Sequence, residues 1–142
     1  MREETMASVL SRAVSATVGS APVVYEELFE RDVRVWSPGT SVSGRERLVE
    51  ELETRDPLFD EQHVDIRSLD VVGDRGYAEW MATARQVAPI VLDGETSIDV
   101  AGSPLTIRGI TVADFRGNRI VAMRQYWDEA ELLSGMGLLP PD

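Results

Sequence analysis

Two runs rich in β-branched and aromatic residues, 106–115 and 119–127, alternate apolar with polar positions and are separated only by Arg116-Gly117-Asn118. Such side chains fit a pleated, half-buried surface, and a short Gly-Asn turn joins two such runs as one long antiparallel hairpin. Side chains alternate across a strand, so Met123, Gln125 and Trp127 share one face and Ala122, Arg124 and Tyr126 the other. The first face is apolar except for an amide in its middle, which marks Gln125 as a polar group aimed at something. Beyond Trp127, Asp128 reads as an N-cap, Glu129 and Glu131 place acids in the first turn, and Gly135 and Gly137 stop the run. The tail, 128–142, is expected to fold back as a short helix.

The rest of the chain supplies helices first and strands afterwards. Met6, Val9, Leu10, Ala13, Val14 and Thr17 follow the three-and-four spacing of an amphipathic helix within residues 1–20. Gly19-Ser20-Ala21-Pro22 breaks it, and Pro22 with Glu26 and Glu27 starts a second helix to about Phe29. Val33, Val35 and Trp36 read as a brief strand closed by Ser37-Pro38-Gly39. Ser43-Gly44-Arg45-Glu46 then opens a third helix that runs to about Glu53 and stops at Arg55-Asp56-Pro57. Residues 64–71 and 77–87 alternate as strands about a Gly73–Gly76 turn, with Ala78, Trp80, Ala82 and Ala84 toward the helices. Residues 88–104 carry a weak pattern, read as a variable loop or small hairpin able to lid a pocket. This order predicts a single α+β domain over 1–142, with N-terminal helices packed on a curved antiparallel β-sheet.

Charge and composition exclude several functions. With 25 acidic against 14 basic residues the net charge is -11, which leaves no basic footprint for nucleic acid or an anionic membrane. No cysteine is present, so disulfides, thiolate nucleophiles and thiolate metal sites are absent. The one histidine, His63, has no acid or nucleophile tied to it by spacing and reads as a surface or edge residue; no metal site is expected. No phosphate-cradling glycine loop, leader or transmembrane run is visible, and a soluble cytoplasmic protein is the expectation.

Tyr126-Trp127-Asp128 followed by Leu132-Leu133 and Met136-Gly137-Leu138-Leu139-Pro140 resembles the C-terminus of SnoaL-like proteins. These belong to the nuclear transport factor two-like superfamily, a cystatin-like α+β cone, with ketosteroid isomerase and limonene epoxide hydrolase as more distant cousins. The stretch from Phe29 to Pro38, Gly44-Arg45-Glu46, and Val72 to Trp80 extend the resemblance in the same order and spacing. It implies a sheet curled into a cone with an internal pocket for a small hydrophobic, carbonyl-type molecule, no cofactor, and a homodimer through the outer sheet face, where Ile110 and Val112 stand.

The resemblance also locates the chemistry. The cyclases' acid/base aspartate, which limonene epoxide hydrolase also needs, falls at Gln125. The cyclases' histidine and the isomerase's protonated aspartate fall at Thr111, and the isomerase's base falls near Ser37. All three groups are missing. Gln125 and Thr111 remain as hydrogen-bonding candidates toward an enol or carbonyl oxygen, with Trp36, Ser37, Trp80, Met123 and Trp127 as candidate ligand contacts. Equally, Gln125 and Thr111 can bond to each other as inward polar residues, and the tryptophans can be core. A cyclase, isomerase or dehydratase acting without the usual acid and base, and a non-catalytic binding or dimeric scaffold module, both remain open.

Overall fold

The computed structural model describes residues 2–91, 97–99 and 104–137. Helix α1 (Arg2–Thr17) and the single turn α2 (Tyr25–Leu28) precede a hairpin of β1 (Phe29–Ser37) and β2 (Thr40–Ser43). Helix α3 (Arg45–Arg55) and a 3-10 turn (Asp56–Leu58) lead into β3 (Phe59–Val72) and β4 (Arg75–Gln86). The short pair β5 (Ile90–Val91) and β6 (Ser97–Ile98) stands apart. The hairpin of β7 (Leu105–Arg116) and β8 (Arg119–Trp127) and helix α4 (Glu129–Gly135) complete the chain.

The main sheet has the order β2-β1-β8-β7-β4-β3. Helices packed on a curved sheet make this the expected α+β fold, with one departure: β1 runs parallel to β8, so the sheet is mixed. Neighbours joined by a tight turn must be antiparallel, but most of the chain lies between β1 and β8 and leaves their direction free. The β1–β2 hairpin was not read from the sequence. The second helix is a single turn that begins at Tyr25 and not at Pro22, residues 21–24 being extended or irregular, and it ends before Phe29, which already belongs to β1.

Bulges bend the sheet. Along β3, Val64 and Ile66 face the core, yet so do Leu69 and Val71, and a register shift between Ile66 and Ser68 absorbs the change of parity. A second shift between Asp60 and His63 contains Glu61 at φ 51, and a third falls at Val121, between Ile120 and Ala122 of β8. Each extra residue locally tightens the twist and curves its strand.

Helix α1 lies on the concave face with Met6, Val9, Leu10, Ala13 and Val14 buried, as their spacing requires. They pack with Leu28, Phe29, Val33, Ala78, Trp80, Ala113, Ile120 and Met123 in one core. The expected lid segment is partly seen as the β5–β6 pair, which forms a small antiparallel ladder; residues 92–96 and 100–103 of the segment, and 138–142 of the tail, lie outside the described residues. No described helix is long and apolar enough to cross a membrane.

Candidate functional site

The concave face of the sheet, the C-terminal ends of α1 and α3, and α4 enclose a cavity of about 440 Å³. Its walls are mostly apolar, with Val35, Val42, Leu52, Ala82, Leu105 and Ile107 among them. Leu132 of α4, Met136 at its C-terminal cap and Ile90 of β5 close over one side. Helix α4 is held there by its N-cap, where Asp128 Oδ1 accepts from Glu131 N at 3.1 Å, and by Glu131, which accepts from Arg108 N at 2.9 Å and from the Arg108 guanidinium at 3.1 Å.

Gln125 is only 4 % exposed and lines this cavity from β8. Its Nε2 donates to Thr17 Oγ1 at 2.9 Å and to Thr111 Oγ1 at 3.3 Å. Thr17 closes α1 and donates its own hydroxyl hydrogen to Ala13 O at 2.7 Å, the bond a threonine makes back to the preceding helical turn. Thr111 lies directly opposite Gln125 across the β7–β8 ladder and opposite Ala78 across β4–β7. It accepts a second bond from Trp80 Nε1 at 2.9 Å. Four buried polar side chains from α1, β4, β7 and β8 are thus joined through the amide nitrogen of Gln125 and the Trp80 indole.

The Trp80 indole occupies this place because Gly109 faces it across the β4–β7 ladder. A Cβ at 109 would stand 2.6 and 2.7 Å from the indole carbons Cζ2 and Cη2, closer than such atoms approach, so only glycine leaves the ring its seat. Arg55 at the end of α3 donates to the carbonyls of Thr17 and Gly19, and its Nη2 also bonds Asp56 Oδ1 at 2.5 Å. A guanidinium on the last carbonyl of α1 and on that of Gly19 just beyond it satisfies acceptors that the helix cannot, and complements its dipole.

The structure gathers some of the sequence-derived candidates and separates others. Gln125, Trp80, Trp127 and Ser37 line the cavity; Thr111 is fully buried behind Gln125 and reaches the cavity only through it. Met123 is a core residue that does not line the cavity. Trp36 does not line the cavity: inward Val33 and Val35 turn it to the outer side, where it is 42 % exposed and packs against Tyr126 with ring centroids 5.1 Å apart and planes tilted by 47°. His63 is exposed on the edge strand β3. Thr17, Gly109 and Arg55 had not been singled out. Thr17 carried a signal, a hydroxyl on an otherwise apolar helical stripe, and Gly109 another, a glycine inside a strand.

Among the described residues, no carboxylate or imidazole is hydrogen-bonded to the Gln125 network. Among the described residues the carboxylates lining the cavity are Glu51 and Glu129, both exposed, and Glu129 accepts from Trp127 Nε1 at 2.7 Å. Among the described residues no cluster of three His, Cys, Asp or Glu side chains is placed to hold a metal ion.

Comparison with known proteins agrees with this architecture. A search of curated protein sequences finds no significant match. A protein classed by likeness as a SnoaL-like polyketide cyclase, from Jannaschia sp. CCS1, superposes with a TM-score of 0.81 at 17 % identity, over 99 % of this chain and 96 % of its own. TsrD from Streptomyces laurentii gives 0.81 at 16 % identity over 98 % and 99 %. A Catenulispora acidiphila protein with a ketosteroid isomerase-like fold, in complex with trimethylamine, gives 0.73 at 21 % identity over 94 % and 97 %. At such identities the likeness speaks for the fold. The family model of the SnoaL-like domain matches residues 16–123, which is most of the chain, and the chain therefore belongs to the SnoaL-like family.

Proposed function

We propose that this protein binds a small hydrophobic molecule in the cavity between sheet and helices. The observation that carries the reading is a space of about 440 Å³, within the usual size of ligand sites, with apolar walls and one buried amide presented to it. Binding is favoured over turnover because the bonded neighbours of Gln125 are Thr17, Thr111 and, through Thr111, Trp80. None of these exchanges a proton near neutral pH. A cyclase- or isomerase-like reaction would have to rest on hydrogen bonding alone, and opening an epoxide by a carboxylate at position 125 is ruled out by the amide there.

Titration of tryptophan fluorescence with steroid, polyketide-like and terpene-like molecules tests this. Trp80 and Trp127 line the cavity while Trp36 is outside it, so a Trp36→Phe background isolates the signal. Saturable quenching, weakened severalfold in Gln125→Ala, is expected. No response from any member of the panel would overturn the reading.

We further propose that the outer sheet face pairs with a second copy of the chain. Trp36, Tyr126, Ile110 and Tyr77 are exposed there on neighbouring strands. The chain carries a net charge of -11, yet strand pairing puts Arg34, Arg75, Arg108 and Arg124 on this face with Asp114 and Glu79. Two acidic molecules can meet here without like-charge repulsion. Sedimentation velocity is expected to give a dimer that Tyr126→Glu dissociates; a wild-type monomer at tens of micromolar would refute the pairing.

A further inference from the structure

We infer that the buried polar wall of the cavity is a hydrogen-bond acceptor of fixed orientation, Gln125 Oε1, and that it selects ligands presenting a hydroxyl or enol O–H over ligands presenting a carbonyl. This rests on the cavity being a ligand site and adds which chemistry the site reads.

The available hydrogens fix the amide. Thr17 has one hydroxyl hydrogen, and it is committed to Ala13 O at 2.7 Å. Toward Gln125, Thr17 Oγ1 can therefore only accept, so the side chain must turn its nitrogen to Thr17. Thr111 does not fix the amide in the same way. It accepts from Trp80 Nε1 and keeps a hydrogen of its own, so it suits either end of the amide. Thr17 thus sets the orientation, acting through Gln125 as a positioning residue. Both N–H groups of Gln125 are taken by the two threonines, and Oε1 is the atom of this amide left for the cavity that Gln125 lines.

An acceptor in an apolar wall discriminates by what it leaves unpaired. A ligand hydroxyl satisfies Oε1 and keeps its own oxygen free to accept. A ketone places a second acceptor against the first, and both lose water without gaining a bond. The sequence reading had this amide donating to a ligand oxygen; the network reverses its sense.

The experiment uses three probes of nearly equal size, naphthol, methoxynaphthalene and tetralone, titrated by isothermal calorimetry into the wild type, Thr17→Val and Gln125→Leu. In the wild type naphthol should bind about tenfold tighter than either of the others. In Gln125→Leu that preference should vanish while methoxynaphthalene binding persists. In Thr17→Val the amide is free to turn, with Thr111 donating to Oε1 and Nε2 facing the cavity, so tetralone should gain on naphthol. Equal wild-type binding of naphthol and tetralone would overturn this inference while leaving the ligand cavity standing. Absence of binding by all three would overturn both. Should Thr17→Val fail to fold, Gln125→Leu alone decides, since a naphthol preference that survives it cannot come from Oε1.

Discussion

At position 109 a methyl group has nowhere to go. Gly109 sits under the Trp80 indole and beside the Tyr126 carbonyl, so Gly109→Ala must push the ring off its seat and break its bond to Thr111. Overpacking of this kind costs about 1–3 kcal/mol, and urea unfolding followed by tryptophan emission should show that loss together with a red shift. An unshifted spectrum at full stability would mean the ring has room that this packing denies it. The residue scale was only partly legible in the sequence. Period two along β8 put Gln125 inward, and the pairing of Gln125 with Thr111 is as one reading had it. The same rule applied to Val33 and Val35 would have turned Trp36 outward. The Thr17 partnership was not readable, since it joins residues 108 positions apart in sequence.

At the scale of elements, the β7–β8 hairpin and α4 were legible because their signals are local: alternation, a Gly-Asn turn, a capping aspartate. The bulges were not, since a slip of parity in 64–71 looks like imperfect alternation until the partner strand is known. β2 was hidden because Thr40-Ser41-Val42-Ser43 buries one apolar side chain only. Helix α4 tests how far a local signal carries function. Asp128→Ala removes the cap, at a cost of about 1 kcal/mol, from a seven-residue helix with little stability of its own. Amide exchange over 129–135 should accelerate while β7 and β8 stay protected, and ligand dissociation should quicken, because Leu132 and Met136 cover the cavity. Arg55 ties two elements together: Arg55→Ala leaves the carbonyls of Thr17 and Gly19 without this donor and should lower stability by about 2 kcal/mol, loosening the very turn that holds Thr17.

Across the whole molecule, Asp114 joins β4, β7 and β8 on the outer face, accepting from Arg75 Nε at 2.7 Å and from Arg124 Nη1 at 2.9 Å. Partial burial works to raise the pKa of its carboxyl, but the hydrogen bonds from Arg124 and Arg75, with their charges, outweigh it and hold the pKa below the ordinary aspartate value. A carboxyl whose folded pKa is depressed stabilises the fold fully above its unfolded pKa, near 3.9 for aspartate. That contribution is lost as pH falls through the folded value. Acid has an opposing effect on the rest of the chain, since protonating other carboxylates relieves a net charge of -11. Wild-type stability alone therefore mixes the two, whereas its difference from Asp114→Asn isolates this residue. Urea unfolding of both proteins should give a wild-type advantage that is steady near neutrality and shrinks as the pH is taken below about 4. An advantage that stays constant to the acid limit would assign Asp114 a packing role instead, and would remove the ion-pair cluster as the link between the three strands.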